Sequence, residues 1–255
     1  MRTFPRDLMG MARAEVESAI SAGAPFLVPT GSIEQHGPHL PFGTDYLAAW
    51  ALANLAAEHL DGVCVPFCPI GITPIHMPYP GTVSLEPATF RALLEDTVRS
   101  LIRHGVKQVA IVNWHELNTP TIHVALRGLS SSHAAEGVRL VIAEAHMVAK
   151  EIFGPAAGGL THGGEIETYP VLALEPGWVH LDRAAASPPA EQPAAMDRMR
   201  REASVQPVLW DVRQISPAGW YGTPGNATPE KSEAFMTQMG RELADRIRAA
   251  FEVLE

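Results

Sequence analysis

The stretch Phe26-Leu27-Val28-Pro29-Thr30-Gly31-Ser32-Ile33-Glu34-Gln35-His36-Gly37-Pro38-His39-Leu40-Pro41, closing on Thr44-Asp45, restricts what this chain can become more than any other. It opens as a short apolar run, Phe26 to Val28, of the kind that forms a buried strand. Gly31 breaks the run, and Glu34, His36, His39 and Asp45 follow in quick succession. Pro38 and Pro41 fix φ and stiffen the loop, so its polar groups are held in place. In extended backbone Glu34 and His36 point to the same side, because side chains alternate with period two. Asp45 opens the next helical pattern and can return a second carboxylate to the same spot. Oxygen and imidazole donors so arranged suit a hard or borderline divalent cation such as Zn²⁺ or Mn²⁺. The same residues also fit a plain polar loop in which Asp45 caps a helix and the histidines are solvated.

The rest of the chain reads as alternating helices and strands. Residues 11–22 form a helix stopped by Gly23. Residues 45–60 form another, with Leu47, Ala51 and Leu55 on one face. Residues 62–69 are β-like, though Pro66 and Pro69 push them to a sheet edge. Residues 71–82 hold too much Pro and Gly for regular structure and form a rigid loop. His76, inside it, is either a substrate contact or a surface histidine. A strong helix starts at Glu86-Pro87, lines up Phe90, Leu93, Leu94, Val98 and Leu101, and stops at Gly105. Strand 107–113, helix 121–135 and strand 138–143 follow, which is the pattern of a parallel sheet with crossover helices.

Residues 154–164 read as a flexible glycine-rich segment, 165–174 as a helix and 178–181 as a short strand. Residues 186–207 read as Ala- and Pro-rich surface, and 221–227 as a tight loop. Thr228-Pro229-Glu230 caps the final helix. Its stripe of Phe235, Met239, Leu243, Ile247 and Phe251 belongs to the core rather than to a subunit contact. Neither a repeat nor a linker divides the chain, so one domain over residues 1–255 is expected.

Composition excludes several classes. The 255 residues are 46% hydrophobic and 18% charged, as an ordinary globular core requires. A net charge of −9 argues against a nucleic-acid surface, which depends on Lys and Arg at phosphates. No apolar run approaches the ~20 residues that span a bilayer, and the N-terminus lacks the apolar core of a signal peptide. Cys64 and Cys68 are the only cysteines. They sit in an apolar stretch, so reduced, packed thiols in a cytoplasmic protein are expected.

Two more polar clusters fall after strands or loops: His115-Glu116, and His162-Gly163-Gly164-Glu165-Ile166-Glu167-Thr168. Loops after the strands of a parallel sheet gather at one edge, so His115 can meet Glu34, His36 and Asp45 there. Such a set suits two divalent ions about 3.5–4 Å apart. The opening motif, with Pro80-Gly81-Thr82, Asn113, His115, His162-Gly163-Gly164 and Glu167-Thr168, resembles the creatininase (creatinine amidohydrolase) family through most of the chain. The resemblance implies a three-layer α/β/α fold with a mostly parallel sheet, usually assembled as a hexamer. It also implies a binuclear Zn/Mn site that hydrolyses C–N bonds of small cyclic or linear amides. Carried over by position, Glu34 and His115 would hold one ion and His36 the other, with Asp45 bridging. His162 would be a proton donor or orienting residue beside the reacting group.

The chain departs from that pattern around His115. Trp114 stands where Gly is common, and Leu117 where creatininase proper supplies a ligand. The remaining ligand is then Glu167, which we prefer, or Glu116, which could instead be the base. Tyr169 stands where Ser is usual. The stretch Gly158-Gly159-Leu160-Thr161 lacks the lid tryptophans of creatininase proper, so creatinine itself is not the expected substrate. Trp114 either supplies an aromatic wall or is simply core. The expected chemistry is metal-dependent amide hydrolysis, with Glu116 or Glu167 helping to deprotonate the attacking water and His162 protonating the departing nitrogen. Two rivals stay open: hydrolysis of a C–C or C–O bond in a sugar- or inositol-derived ring, and a non-catalytic metal-binding accessory subunit.

Overall fold

Four parallel strands organise the molecule, whose computed structural model describes residues 4–157, 161–186 and 204–254. Strands β1 (Phe26–Thr30), β2 (Val63–Cys64), β3 (Gln108–Asn113) and β4 (Arg139–Glu144) lie in the order β2-β1-β3-β4. Helix α1 (Arg13–Ser21) precedes them, and α2 (Thr44–Leu60), α3 (Pro87–Arg103) and α4 (Thr119–His133) make the crossovers. Helices α5 (Ala145–Ala157), α6 (Glu165–Leu174), α7 (Leu181–Ala186) and α8 (Pro229–Glu252) complete the described chain.

Period-two alternation along the strands builds a core on each face of the sheet. Leu27, Ala110, Val112 and Val141 enter one core with Leu52 of α2, Ile166 of α6 and Phe235 of α8. Phe26, Val28, Val109 and Ile111 enter the other with Phe90 and Leu94 of α3 and Ile122 of α4. Helices therefore cover both faces, and the fold is the three-layer α/β/α sandwich that the pattern and the resemblance led us to expect. The terminal stripe Phe235, Met239, Leu243, Ile247 and Phe251 is wholly buried in the first core. Gly240 lets α8 approach α2, since a Cβ there would fall 2.8 Å from Leu55 Cβ.

Pro29 sits inside a central strand, where a missing N–H ordinarily costs a ladder bond. Here it does not. The Leu27 carbonyl accepts from Val65 N at 2.8 Å, so residues 27 and 29 present their backbone polar groups toward β2. That strand pairs only with Phe26 and Leu27, and has ended before Pro29 is reached. On the other side Thr30 accepts from Trp114 N at 3.0 Å and keeps β1 aligned with β3 to their ends.

Two expectations are corrected. Residues 178–181 are not a strand: a 3-10 turn covers Pro176–Trp178 and α7 begins at Leu181. Pro176 and Gly177 close that turn, and the amides of Trp178 and Val179 bond within it, leaving no ladder to join. The segment starting at Gly154 is not irregular from its first residue, because α5 continues to Ala157. Val148, Ala149, Ile152 and Phe153 pack that helix on the core, and this burial outweighs the local Gly and Pro. Most of the stretch 186–207 lies outside the described residues.

One close approach sets up the polar edge of the sheet. A Cβ at Gly31 would lie 2.5 Å from Tyr46 N and 2.6 Å from the Asp45 carbonyl carbon. Only glycine lets the first turn of α2 sit directly on the end of β1. Gly31→Ala must displace backbone rather than a flexible side chain, so it is expected to destabilise the fold by roughly 1–3 kcal/mol. Thermal or urea denaturation measures this, and an unchanged midpoint would refute the packing account.

Candidate metal centre

The C-terminal ends of the strands share one edge of the sheet, as parallel pairing demands. Glu34 and His36 leave β1, and His115 follows β3. Asp45 and Glu167 lie in the first turns of α2 and α6, where the helix dipoles favour negative charge. All five are buried, with His36 fully enclosed.

Asp45 is the hub. Its Oδ1 lies 3.1 Å from His36 Nε2 and its Oδ2 lies 2.9 Å from His115 Nδ1. Ser32 Oγ donates to Oδ2 at 2.9 Å and fixes the carboxylate plane. Glu34 accepts from Thr73 Oγ1 and places Oε2 3.4 Å from His115 Nε2. Glu167 Oε2 accepts from Gly163 N at 2.5 Å and lies 3.7 Å from His36 Nε2. Gly163 has φ +70, and a Cβ there would press on the His36 carbonyl, so the turn that aims this amide suits glycine.

Both imidazoles facing Asp45 are oriented by backbone. His36 Nδ1–H donates to the Glu34 carbonyl at 3.1 Å, and His115 Nε2–H donates to the Ile72 carbonyl at 3.0 Å. A carbonyl that fixes one ring nitrogen and presents the other is the usual support of a metal-ligating histidine. Within 4.8 Å the structure gathers donor atoms of Glu34, Asp45 and His115, of His36, Asp45 and Glu167, and of Glu34, His36 and His162. These groups fit divalent cations by donor chemistry as well as spacing.

Charge tells the same story. Burial opposes charge on His36, but Asp45, Glu167 and Glu34 outweigh it and push the imidazole up to about 10. His115 is likewise raised to about 9, burial being overcome by Glu34 and Asp45. Burial would raise Asp45, yet His36 and His115 hold it well below the usual carboxylate range. Burial raises Glu167 to about 7 against the pull of His36. The carboxylates thus demand positive charge, which protons supply when cations do not.

His162 stands beside this cluster, its ring 4.4 Å from that of His36 between centroids. Its Nε2–H donates to the Gln35 carbonyl at 2.8 Å, leaving Nδ1 unprotonated and 3.9 Å from Glu34 Oε1. Burial, reinforced by His36 and His76, lowers its pKa well below the ordinary value, so the ring is neutral. Glu116 lines the same cavity, of about 50 Å³, but enters none of the donor groups among the described residues. Geometry therefore separates the two acids left open by the sequence: Glu167 joins the cluster and Glu116 stays beside it.

Sequence reasoning did not find the supporting residues. Gln35 Nε2 donates to Gly219 O at 2.7 Å and to His76 Nδ1 at 3.1 Å, tying the motif to the loops that carry His76 and Gly219. His76 Nε2 lies 3.5 Å from Glu34 Oε1, so it is neither superficial nor remote. Thr73 and Ser32 gave no signal beyond their position near acids. His146, two residues past β4, also lines the cavity, and only the parallel topology could have pointed to it.

The creatininase (creatinine amidohydrolase) family model matches residues 9–247, which is most of the chain. The chain belongs to the creatininase family. Its members are metal-dependent hydrolases. The creatinine amidohydrolase of Pseudomonas putida is 28% identical over 259 residues, covering 93% of this chain and 94% of that protein. The mycofactocin precursor peptide peptidase of Mycolicibacterium smegmatis is 30% identical over 229 residues, covering 87% and 83%. A solved creatininase structure described as the Mn form superposes with a TM-score of 0.79 at 26% identity, covering 96% of this chain and 98% of that one.

The pH dependence of the metal-free protein follows from the raised histidines. Their stabilising effect is full below the ordinary imidazole value of 6.5 and is lost as pH rises through about 9 and about 10. The melting temperature of metal-stripped protein should therefore fall across that window. Ligation requires neutral imidazole, so metal uptake at pH 7 should release about two protons per chain. Calorimetry in buffers of different ionisation enthalpy reads that number, and uptake without proton release would refute this electrostatic account.

Proposed function

We propose that this creatininase-family member is an amidohydrolase that cleaves the C–N bond of a small cyclic or linear amide other than creatinine, using two divalent ions. The observation that carries this reading is the shared carboxylate of Asp45, whose two oxygens face two different imidazoles. Glu34 and His115 would hold one ion, His36 and Glu167 the other, with Asp45 common to both. Their nitrogen and oxygen donors suit Zn²⁺ or Mn²⁺. Such ions polarise a carbonyl and bring the pKa of water toward neutrality. An amidohydrolase and a peptide peptidase stand among the relatives, and breaking a C–N bond is the chemistry they share.

The remaining roles fall to side chains outside the ligand groups. Glu116, lining the cavity, takes the proton of the water that attacks the carbonyl carbon. Glu167 is not free for this, because it would serve as a ligand beside His36 and Asp45. His162 keeps its Nε2–H on the Gln35 carbonyl; its Nδ1, unprotonated at rest, takes up the proton that Glu116 drew from the water and passes it to the departing nitrogen. The carbon–oxygen bond forms first and the carbon–nitrogen bond then breaks, giving a carboxylic acid and an amine, joined in one molecule where the amide was cyclic.

Two variants test the division of labour. Asp45→Ala is expected to lose bound metal by elemental analysis and, with it, hydrolysis of lactam, formamide and cyclic-amide substrates. Glu116→Gln should keep its metal while kcat falls by about 10²–10⁴-fold. A metal-free but active Asp45→Ala protein would contradict the scheme, and an undiminished Glu116→Gln enzyme would remove Glu116 from it.

A further inference from the structure

His39 belongs to the opening motif, yet among the described residues it neither lines the cavity nor enters a donor group. It is nonetheless wholly enclosed, at 0% exposure. Its Nε2–H donates to the Gly163 carbonyl at 2.6 Å, across 124 positions of the chain. Its own carbonyl accepts from His180 N at 2.9 Å, and its ring meets Trp220 edge-on, 4.7 Å between centroids. Among the described residues nothing pairs with its Nδ1. Burying an unpaired nitrogen is costly, and an apolar side chain of like size would avoid that cost. The imidazole is therefore explained by what its other nitrogen holds.

What it holds is the residue that aims Glu167. Gly163 sits at φ +70 and donates its N–H to Glu167 Oε2 at 2.5 Å. Two bonds thus grip opposite sides of one Cα, Glu167 taking the amide before it and His39 the carbonyl after it. Glycine adopts positive and negative φ about equally, so these flanking contacts, not the residue itself, keep the turn in shape. Release of the carbonyl would let the peptide between Gly163 and Gly164 rotate and draw the amide off Glu167. A carboxylate so buried depends on such a donor for its orientation. The neighbouring carbonyls are tied separately, His162 O by Tyr221 N at 2.8 Å and Gly164 O by Thr168 N at 3.0 Å. Loss of the His39 bond is then a local event, with α6 and the loop at Tyr221 still anchored.

We infer that His39 is a positioning residue for one cation only: through Gly163 it keeps Glu167 in register with His36 and Asp45, and so sets the affinity of the ion that this group takes. The ion assigned to Glu34 and His115 is independent of it, because those side chains are held by the Thr73 hydroxyl and the Ile72 carbonyl instead. His39 has this role only if the two-ion part of the proposed function holds, whatever the substrate.

Titration of the metal-stripped full chain with Mn²⁺, read by calorimetry and by the electron paramagnetic resonance of the bound ions, separates the two sites. In His39→Leu, which removes the donor, one of the two affinities should fall by about 10–100-fold and the other should stay as in wild type. At limiting Mn²⁺ the variant should show isolated ions where wild type shows a coupled pair. His39→Gln sets an amide N–H about where Nε2–H lies and should restore wild-type uptake. His39→Asn carries the same amide one methylene short and should behave like the Leu variant. The Asn and Gln variants differ in reach alone, so they carry the test if the Leu variant does not fold. Unchanged uptake in His39→Leu, equal weakening of both ions, or a Gln variant no better than the Leu variant overturns the inference. Failure of both the Leu and Asn variants to fold also overturns it, since His39 is then a structural residue. Uptake of a single ion by wild type would refute the two-ion reading, and the role of His39 would stand only if that one affinity followed the same order. Two ions bound in the expected order without any amide being hydrolysed would leave His39 in place and the amidohydrolase reading refuted.

Discussion

Everything at the polar edge of this protein answers to the burial of the Asp45 carboxylate with Glu34 and Glu167 close by. Three acids removed from water would repel one another and resist ionising unless positive charge were supplied among them. The fold supplies it in the form of His36 and His115, each held by a backbone carbonyl so that its other nitrogen faces Asp45. These are the same orientations that cation binding needs. The cluster is therefore prepared in advance, and protons and metal ions compete for one set of atoms.

That preparation is made by backbone contacts more than by the acids themselves. Gly31 lets α2 begin against the end of β1, which carries Asp45 to Glu34. The Gly163 amide fixes Glu167, and the Gln35 side chain bonds to His76 and Gly219 from loops far apart in the chain. Small displacements in any of these contacts would separate donor atoms that now lie within 4.8 Å. Positioning at this scale governs whether a buried polar group is compensated or left uncompensated.

The sequence made the sheet legible because apolar runs such as residues 107–113 and 138–143 alternate with amphipathic helices. Strand β3 is buried along nearly its whole length, while β4, at the sheet edge, is only partly buried. The helix α5 was hidden by Gly154 and Pro155, whose local preference lost to packing of Ile152 and Phe153. Residues 178–181, read as a short strand, hold Trp178 and Val179, which favour strands by propensity. Propensity decides little where turn amides are already bonded and no sheet edge is within reach. Within the candidate centre, Glu34, His36 and Asp45 stood out because they share one stiff motif. Choosing between Glu167 and Glu116 needed the third dimension, since both flank glycine- or histidine-bearing loops and differ only in which way they face. His76 was undecidable from a loop composition, and its place beside Glu34 comes from the hydrogen bond with Gln35.

The two halves of the cavity have different origins in the fold. Donors of the cluster come from the ends of β1 and β3 and the starts of α2 and α6, positions fixed by the parallel sheet itself. Trp114 and Leu117, which flank His115 in the chain, also line the cavity. Substitutions at Trp114 or Leu117 would alter the lining while leaving the His115 imidazole in register. A scaffold so divided can keep the attacking chemistry constant and change what it attacks.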